Sequence, residues 1–213
     1  MDFQPRLAGR GPDEKPVTME DGMMQATQMA DAAMVSTGLL VARLVFGPLM
    51  AAHGAQKLFG WFGGPGLRAT AGGMEHLRFR PGLPFALAAG VTEIVSGVLV
   101  ALGLLGPVGP ALMVSVMLVA AVSAHLQNGL WGQNGGYEMA LVYGAAAFAL
   151  ALTGPGAFSA DAALGLAPLW TPAFAWIALG AGLIGGAANL LARRPAPAAA
   201  AEAAAAAPEP QAA

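Results

Sequence analysis

Residues 85–105 read FALAAGVTEIVSGVLVALGLL, an apolar run whose single ionisable residue is Glu93. About 20 such residues cross the hydrocarbon core of a bilayer as one helix. The run is followed by Gly106-Pro107-Val108-Gly109, and a second apolar run extends from about Pro110 to Leu126. Glycine and proline in so short a connection make a tight turn, so the two runs are expected to form an antiparallel hairpin of membrane helices.

Working outward, three further runs have the same character. They are Val35 to Ala55 (VSTGLLVARLVFGPLMAAHGA), Tyr137 to Thr153, and Pro172 to Leu191 (PAFAWIALGAGLIGGAANLL). One run of this length could be the buried helix of a soluble domain, but five in 213 residues argue against that. The chain is 56% hydrophobic and 10% charged, with a mean hydropathy of +0.61. Soluble domains carry about 25% charged residues, so this chain has too little polar surface to cover a globule in water. The expected fold is an all-α membrane protein, a four-helix transmembrane bundle plus a fifth C-terminal span, with the lipid bilayer as its first partner.

Composition also excludes several roles. A net charge of −2 offers no clustered basic face for nucleic acid. The absence of cysteine removes disulfides, thiolate metal sites, c-type haem attachment and iron–sulfur ligation by this chain. The opening MDFQPRLAGRGPDEKP has no apolar stretch and does not read as a secretory signal, so the first span is expected to direct the chain to the membrane.

Four regions follow from these patterns. Residues 1–34 are polar and expected to be disordered, although Met19 to Met34 would also suit a loose helix. Residues 35–166 form the four-span core, 167–194 hold the additional span, and 195–213 are a disordered Ala/Pro tail. In the first loop, Gln56 to Pro84, the rings of Phe59, Trp61 and Phe62 suit the headgroup zone, and Leu67 to Phe79 is expected to form a short surface helix. Gly154 to Thr171 should lie in the interface with Trp170 as an anchor. With five spans, Lys57, Arg68, Arg78 and Arg80 share one side with Arg193 and Arg194. The positive-inside rule then places that side and the C-terminus in the cytoplasm, with the N-terminus outside.

Arg43, His53, Glu93, His125 and Glu138 lie inside or at the edges of these spans. A charge at mid-bilayer costs about 2.5–3.5 kcal/mol on insertion scales, so such groups should face protein and pair. Arg43, Gly47, Met50 and Gly54 share one helix face, and Gly90, Glu93 and Gly97 share another. Small residues beside the charges let two helices approach closely, and an Arg43–Glu93 pair is the expectation. Such a pair either only fixes helix register or marks a proton or substrate site. Chain direction gathers His53, Gln56, Lys57, His125, Asn128, Asn134, Tyr137 and Glu138 at one end of the bundle, where His53, His125 and Glu138 are expected to converge. Two imidazoles and a carboxylate suit Zn or Fe, but no local ligand spacing supports a metal and none is assigned; bis-His haem through His53 and His125 is disfavoured further. Gly182 and Gly186 make a G-x-x-x-G pattern that would serve a dimer, but in a chain with 30 glycines packing within the chain is the preferred reading. Pro48 removes a backbone donor and is expected to kink the first span.

These residues also carry a resemblance. AAHGAQKLFGWFGG at the end of the first span, TEIVSGVLVALGLLGP in the second, SAHLQNG ending the third, NGGYEMALVY opening the fourth and LTGPGAFSADAALG after it occur in the order found in DoxX proteins. Over roughly residues 38–166 the chain resembles that family of small bacterial membrane proteins. The resemblance implies a four-helix bundle in the bacterial inner membrane, with the fifth span and the N-terminus outside the shared core. It also implies that His53, Lys57, Glu93, His125 and Glu138 are the family's polar set. Related proteins include a subunit of a thiosulfate:quinone oxidoreductase and a member associated with superoxide-defence and thiol-redox proteins. The implied role is a membrane subunit or anchor of a redox or detoxification system, with redox protein partners and quinone as the compatible cofactor. Two readings from other classes stand beside it. One is a small-solute or proton-coupled permease using Arg43 and Glu93, which at this size would act as a homo-oligomer. The other is a structural membrane protein.

Overall fold

The computed structural model describes residues 18–194. The expectations for residues 1–17 and for the tail from residue 195 lie outside the described residues. All regular structure among them is helical. It comprises α1 (Met19–Phe59), α2 (Gly66–His76), α3 (Gly82–Leu102), α4 (Val108–Ala120), α5 (Glu138–Thr153), α6 (Ala160–Ala163) and α7 (Pro172–Leu191). The α4 helix continues through a π-turn at Ala121–His125 to Asn128. The chain divides into two units after Val35.

In the first unit, Met19–Met34 is helical where the sequence reading favoured disorder. The cause is a reciprocal cap. The Asp21 amide donates to Thr18 Oγ1 at 3.1 Å, while the Thr18 amide and hydroxyl donate to Asp21 Oδ2 at 3.0 and 2.7 Å. This satisfies orphan donors of the first turn, and the Met, Ala and Gln residues that follow are good helix formers.

The second unit is the bundle. Along α3 the buried positions include Ala86, Gly90, Glu93, Gly97 and Val100, spaced by alternating fours and threes. Leu87, Val91, Val95, Val98 and Leu102 are exposed. Small residues thus point inward and large apolar ones outward, the reverse of a soluble helix. On α7 the outward residues include Ile177 and Ile184, at 68% and 71% exposure. Only lipid can cover such a surface without penalty. The core between helices is built from Met50, Val100, Met113, Tyr143, Ala147 and Leu179.

Four helices are long and apolar enough to cross a membrane: α1, α3, α4 through Asn128, and α7. The shorter apolar helix is α5, whose 16 residues rise about 24 Å against a hydrocarbon core of about 30 Å. The bundle is ordered around α4, against which α3, α5 and α7 all pack. The α3–α4 turn is the expected hairpin, closed by Gly103 in the left-handed region at φ 62°. A Cβ on Gly182 would strike the Ala111 carbonyl, and one on Gly186 would lie 3.0 Å from the Ser115 carbonyl. The G-x-x-x-G pattern is therefore consumed within the chain, and the constant offset shows α7 running parallel to α4. At its far end the Arg194 amide donates to the Arg78 carbonyl at 2.7 Å, and Arg193 Nε donates to the Leu77 carbonyl at 2.9 Å. The end of α7 and the first loop meet, as the five-segment reading expects of them; this end is called the loop end below, and the opposite one the hairpin end. Helix α1 runs through Pro48 as one continuous helix. Trp170 lays its ring on Gly106 of the hairpin turn, a packing role that the interfacial reading did not anticipate.

Candidate functional site

The two faces read from the sequence are both buried. Arg43, Gly47, Met50 and Gly54 line the inner side of α1, opposite Gly90, Glu93 and Gly97 of α3. Register is fixed where backbones touch. A Cβ on Gly47 would lie 2.6 Å from the Ala101 nitrogen, and one on Gly54 would lie 2.7 Å from Ile94 Cγ1. In this antiparallel register Glu93 stands level with His53, not Arg43. The ten-residue separation of those two corresponds to about 15 Å of helix rise.

The expected Arg43–Glu93 pair is therefore not formed. Glu93 is held by Lys57, whose Nζ donates to both carboxylate oxygens at 2.6 Å. Lys57 is one turn beyond His53, and helical side chains lean toward the N-terminus, which brings its ammonium back to the level of Glu93. The pair is lopsided in exposure, with the Glu93 side chain 2% exposed and that of Lys57 29%. Around it, His53 Nδ1 contacts Gln56 Oε1 at 3.2 Å, and the His53 ring meets Tyr143 edge-on at 5.8 Å. Thr70 of α2 donates its hydroxyl to the Lys57 carbonyl at 3.2 Å, tying the first loop to the end of α1.

Arg43 belongs to a separate centre at the hairpin end. It is 2% exposed and donates through Nη2 to the Phe158 carbonyl. Close by, the fully buried Asp161 accepts from the amides of Leu105 and Gly106 at 2.9 and 2.6 Å. Those donors precede α4, so Asp161 holds the turn and sits where the helix dipole favours an anion. Sequence reading missed Asp161. Its signal was an acid standing alone in the apolar Gly154–Thr171 connection.

His125 and Glu138 do not join His53. His125 Nδ1 contacts the Gly135 carbonyl at 2.7 Å, Asn128 Nδ2 donates to the same carbonyl at 3.1 Å, and Glu138 Oε2 accepts from the Gly132 amide at 2.7 Å. All three organise the loop between α4 and α5. Among the described residues, no group of three or more His, Asp or Glu side chains could hold a metal ion. The expected convergence is thus replaced by two local roles, a charge pair with His53 beside it and a self-capped loop. Chain direction fixes the end of the bundle these residues occupy but not their lateral positions.

The helices and their outward apolar faces define a polytopic α-helical membrane protein. Residues 38–126 match the model of the DoxX family. The match covers α1 from Gly38 through α4, including Lys57 and Glu93, and stops before NGGYEMALVY and LTGPGAFSADAALG. No curated protein and no solved structure matches the chain.

Proposed function

We propose that this protein is the membrane subunit or anchor of a redox or detoxification system, and that it meets a quinone where Lys57 holds Glu93. The observation that carries this reading is the pair itself, a 2.6 Å ammonium–carboxylate contact inside the bundle with His53 one turn away. Such a set offers a ring headgroup both a charged donor and a proton-accepting group. The chain has no cysteine with which to ligate a redox cofactor, so electrons pass through a partner protein. Purified from its native membrane in mild detergent, the protein is expected to carry extractable quinone or a redox partner. Glu93→Gln should keep the fold and lose most of the quinone. A clean homo-oligomer with neither would overturn the reading. The alternative of a proton-coupled permease loses the Arg43–Glu93 pair on which it rested.

The same reading places the loop end in the cytoplasm of a bacterial cell, because Lys57, Arg68, Arg78, Arg80, Arg193 and Arg194 belong to it. Reporter fusions after Gly82, Gly132 and Arg194 should read as cytoplasmic, and fusions at Gly22 and Ala160 as external. An external signal after Arg194 would refute this orientation with α7 as a fifth span.

A further inference from the structure

Helices α3 and α7 both pack on α4, and a slot of about 70 Å³ lies among them, with Phe79 and Phe85 in its wall. Three polar side chains from three different helices line it: Thr92 of α3, Ser115 of α4 and Asn189 of α7. None of them makes a side-chain hydrogen bond within the protein. In an apolar surrounding an unsatisfied hydroxyl or carboxamide is costly, so three of them around one space call for an occupant. No ionisable side chain lines the slot, which excludes charged ligands on electrostatic grounds. Its volume is ample for the polar head of a small molecule. Phe79 and Phe85 lie 5.2 Å apart between ring centroids, giving one wall an aromatic character. Ala88 at the lip is exposed, so the slot opens sideways toward lipid.

We infer that this slot is a binding site for a small, uncharged, lipid-soluble molecule with a hydroxyl or carbonyl head on an apolar body, of the size of a simple phenol. The head enters among Thr92, Ser115 and Asn189, and the body rests at the lip beside Phe85 and Ala88. A phospholipid does not fit, because its charged headgroup would have no counter-charge there. The site stands on its own observations and does not depend on the role proposed for Lys57 and Glu93.

The test uses the full chain in lipid nanodiscs with 4-fluorophenol as the probe and 4-fluorotoluene as its apolar isostere, read by fluorine NMR. A saturable shift of 4-fluorophenol beyond that of protein-free nanodiscs is expected, with 4-fluorotoluene far weaker. Thr92→Val and Ser115→Ala should each weaken it about tenfold, the loss of one hydrogen bond. Ala88→Phe alters only an exposed position and should close the lip and abolish the shift, which guards against loss of fold in the inner variants. Equal binding of the two probes would show a groove for acyl chains and overturn the proposal. The absence of any saturable shift would show a water-filled gap and overturn it equally.

Discussion

Lys57→Met is expected to cost about 3–5 kcal/mol of stability, the penalty for leaving a buried charge without its partner. The asymmetry of the pair makes this a sharper expectation than a simple broken salt bridge. Loss of Lys57 strands a carboxylate that is 2% exposed, whereas loss of Glu93 strands an ammonium that is 29% exposed. An exposed lysine head can turn to water or headgroups along its flexible stem. Glu93→Gln should therefore cost less, about 1–2 kcal/mol, the worth of charged hydrogen bonds partly replaced by solvent. The double variant should cost less than the sum of the two by about 1–3 kcal/mol. Unfolding in mixed micelles measures all four proteins. Additive losses, or a Glu93 variant less stable than the Lys57 variant, would contradict the geometry described above.

The second large effect is expected at Gly97. A Cβ there would lie 2.5 Å from the Ala51 nitrogen and 2.9 Å from Ala51 Cβ, closer than real Cβ contacts come. The first obstacle is backbone, which cannot rotate away as a side-chain tip can. Gly97→Ala should cost about 2–3 kcal/mol as overpacking. Gly97→Leu must force α1 and α3 apart and should exceed about 4 kcal/mol. Because Lys57 and Glu93 reach each other across that same contact, the larger variant should also uncouple them in the double-variant experiment. Gly180 provides the control, since nothing lies within 4 Å of a Cβ placed there; Gly180→Ala should fall within about 0.5 kcal/mol of the parent. A Gly97→Leu protein with unchanged stability would refute the close approach.

The inner faces of α1 and α3 were legible because periodicity is a property of one helix. Arg43, Gly47, Met50 and Gly54 recur at helical spacing, as do Gly90, Glu93 and Gly97, and all of them are buried. Register was not legible, because it is set between helices by which glycine meets which backbone. Charge complementarity alone favoured Arg43 for Glu93, and the Gly47–Ala101 and Gly54–Ile94 contacts chose Lys57 instead. For His53, His125 and Glu138, chain direction fixed the end of the bundle but said nothing of lateral distance. His125 and Glu138 were free to satisfy nearby amides and carbonyls, and local partners come at a smaller entropic cost than distant ones. The helix from Met19 was signalled by Thr18 and Asp21, a capping pair outweighed in the reading by the polar composition around it.

The arrangement of α3, with small residues inside and Leu87, Val91, Val95 and Val98 outside, separates two kinds of information along a single helix. The inward residues specify the architecture, and the outward ones specify only the medium in which it stands. Changes in the outer coat would leave the close backbone approaches at Gly90 and Gly97 as they are. The bundle's blueprint and its choice of solvent are thus written in different letters of the same chain, and each is free to drift without rewriting the other.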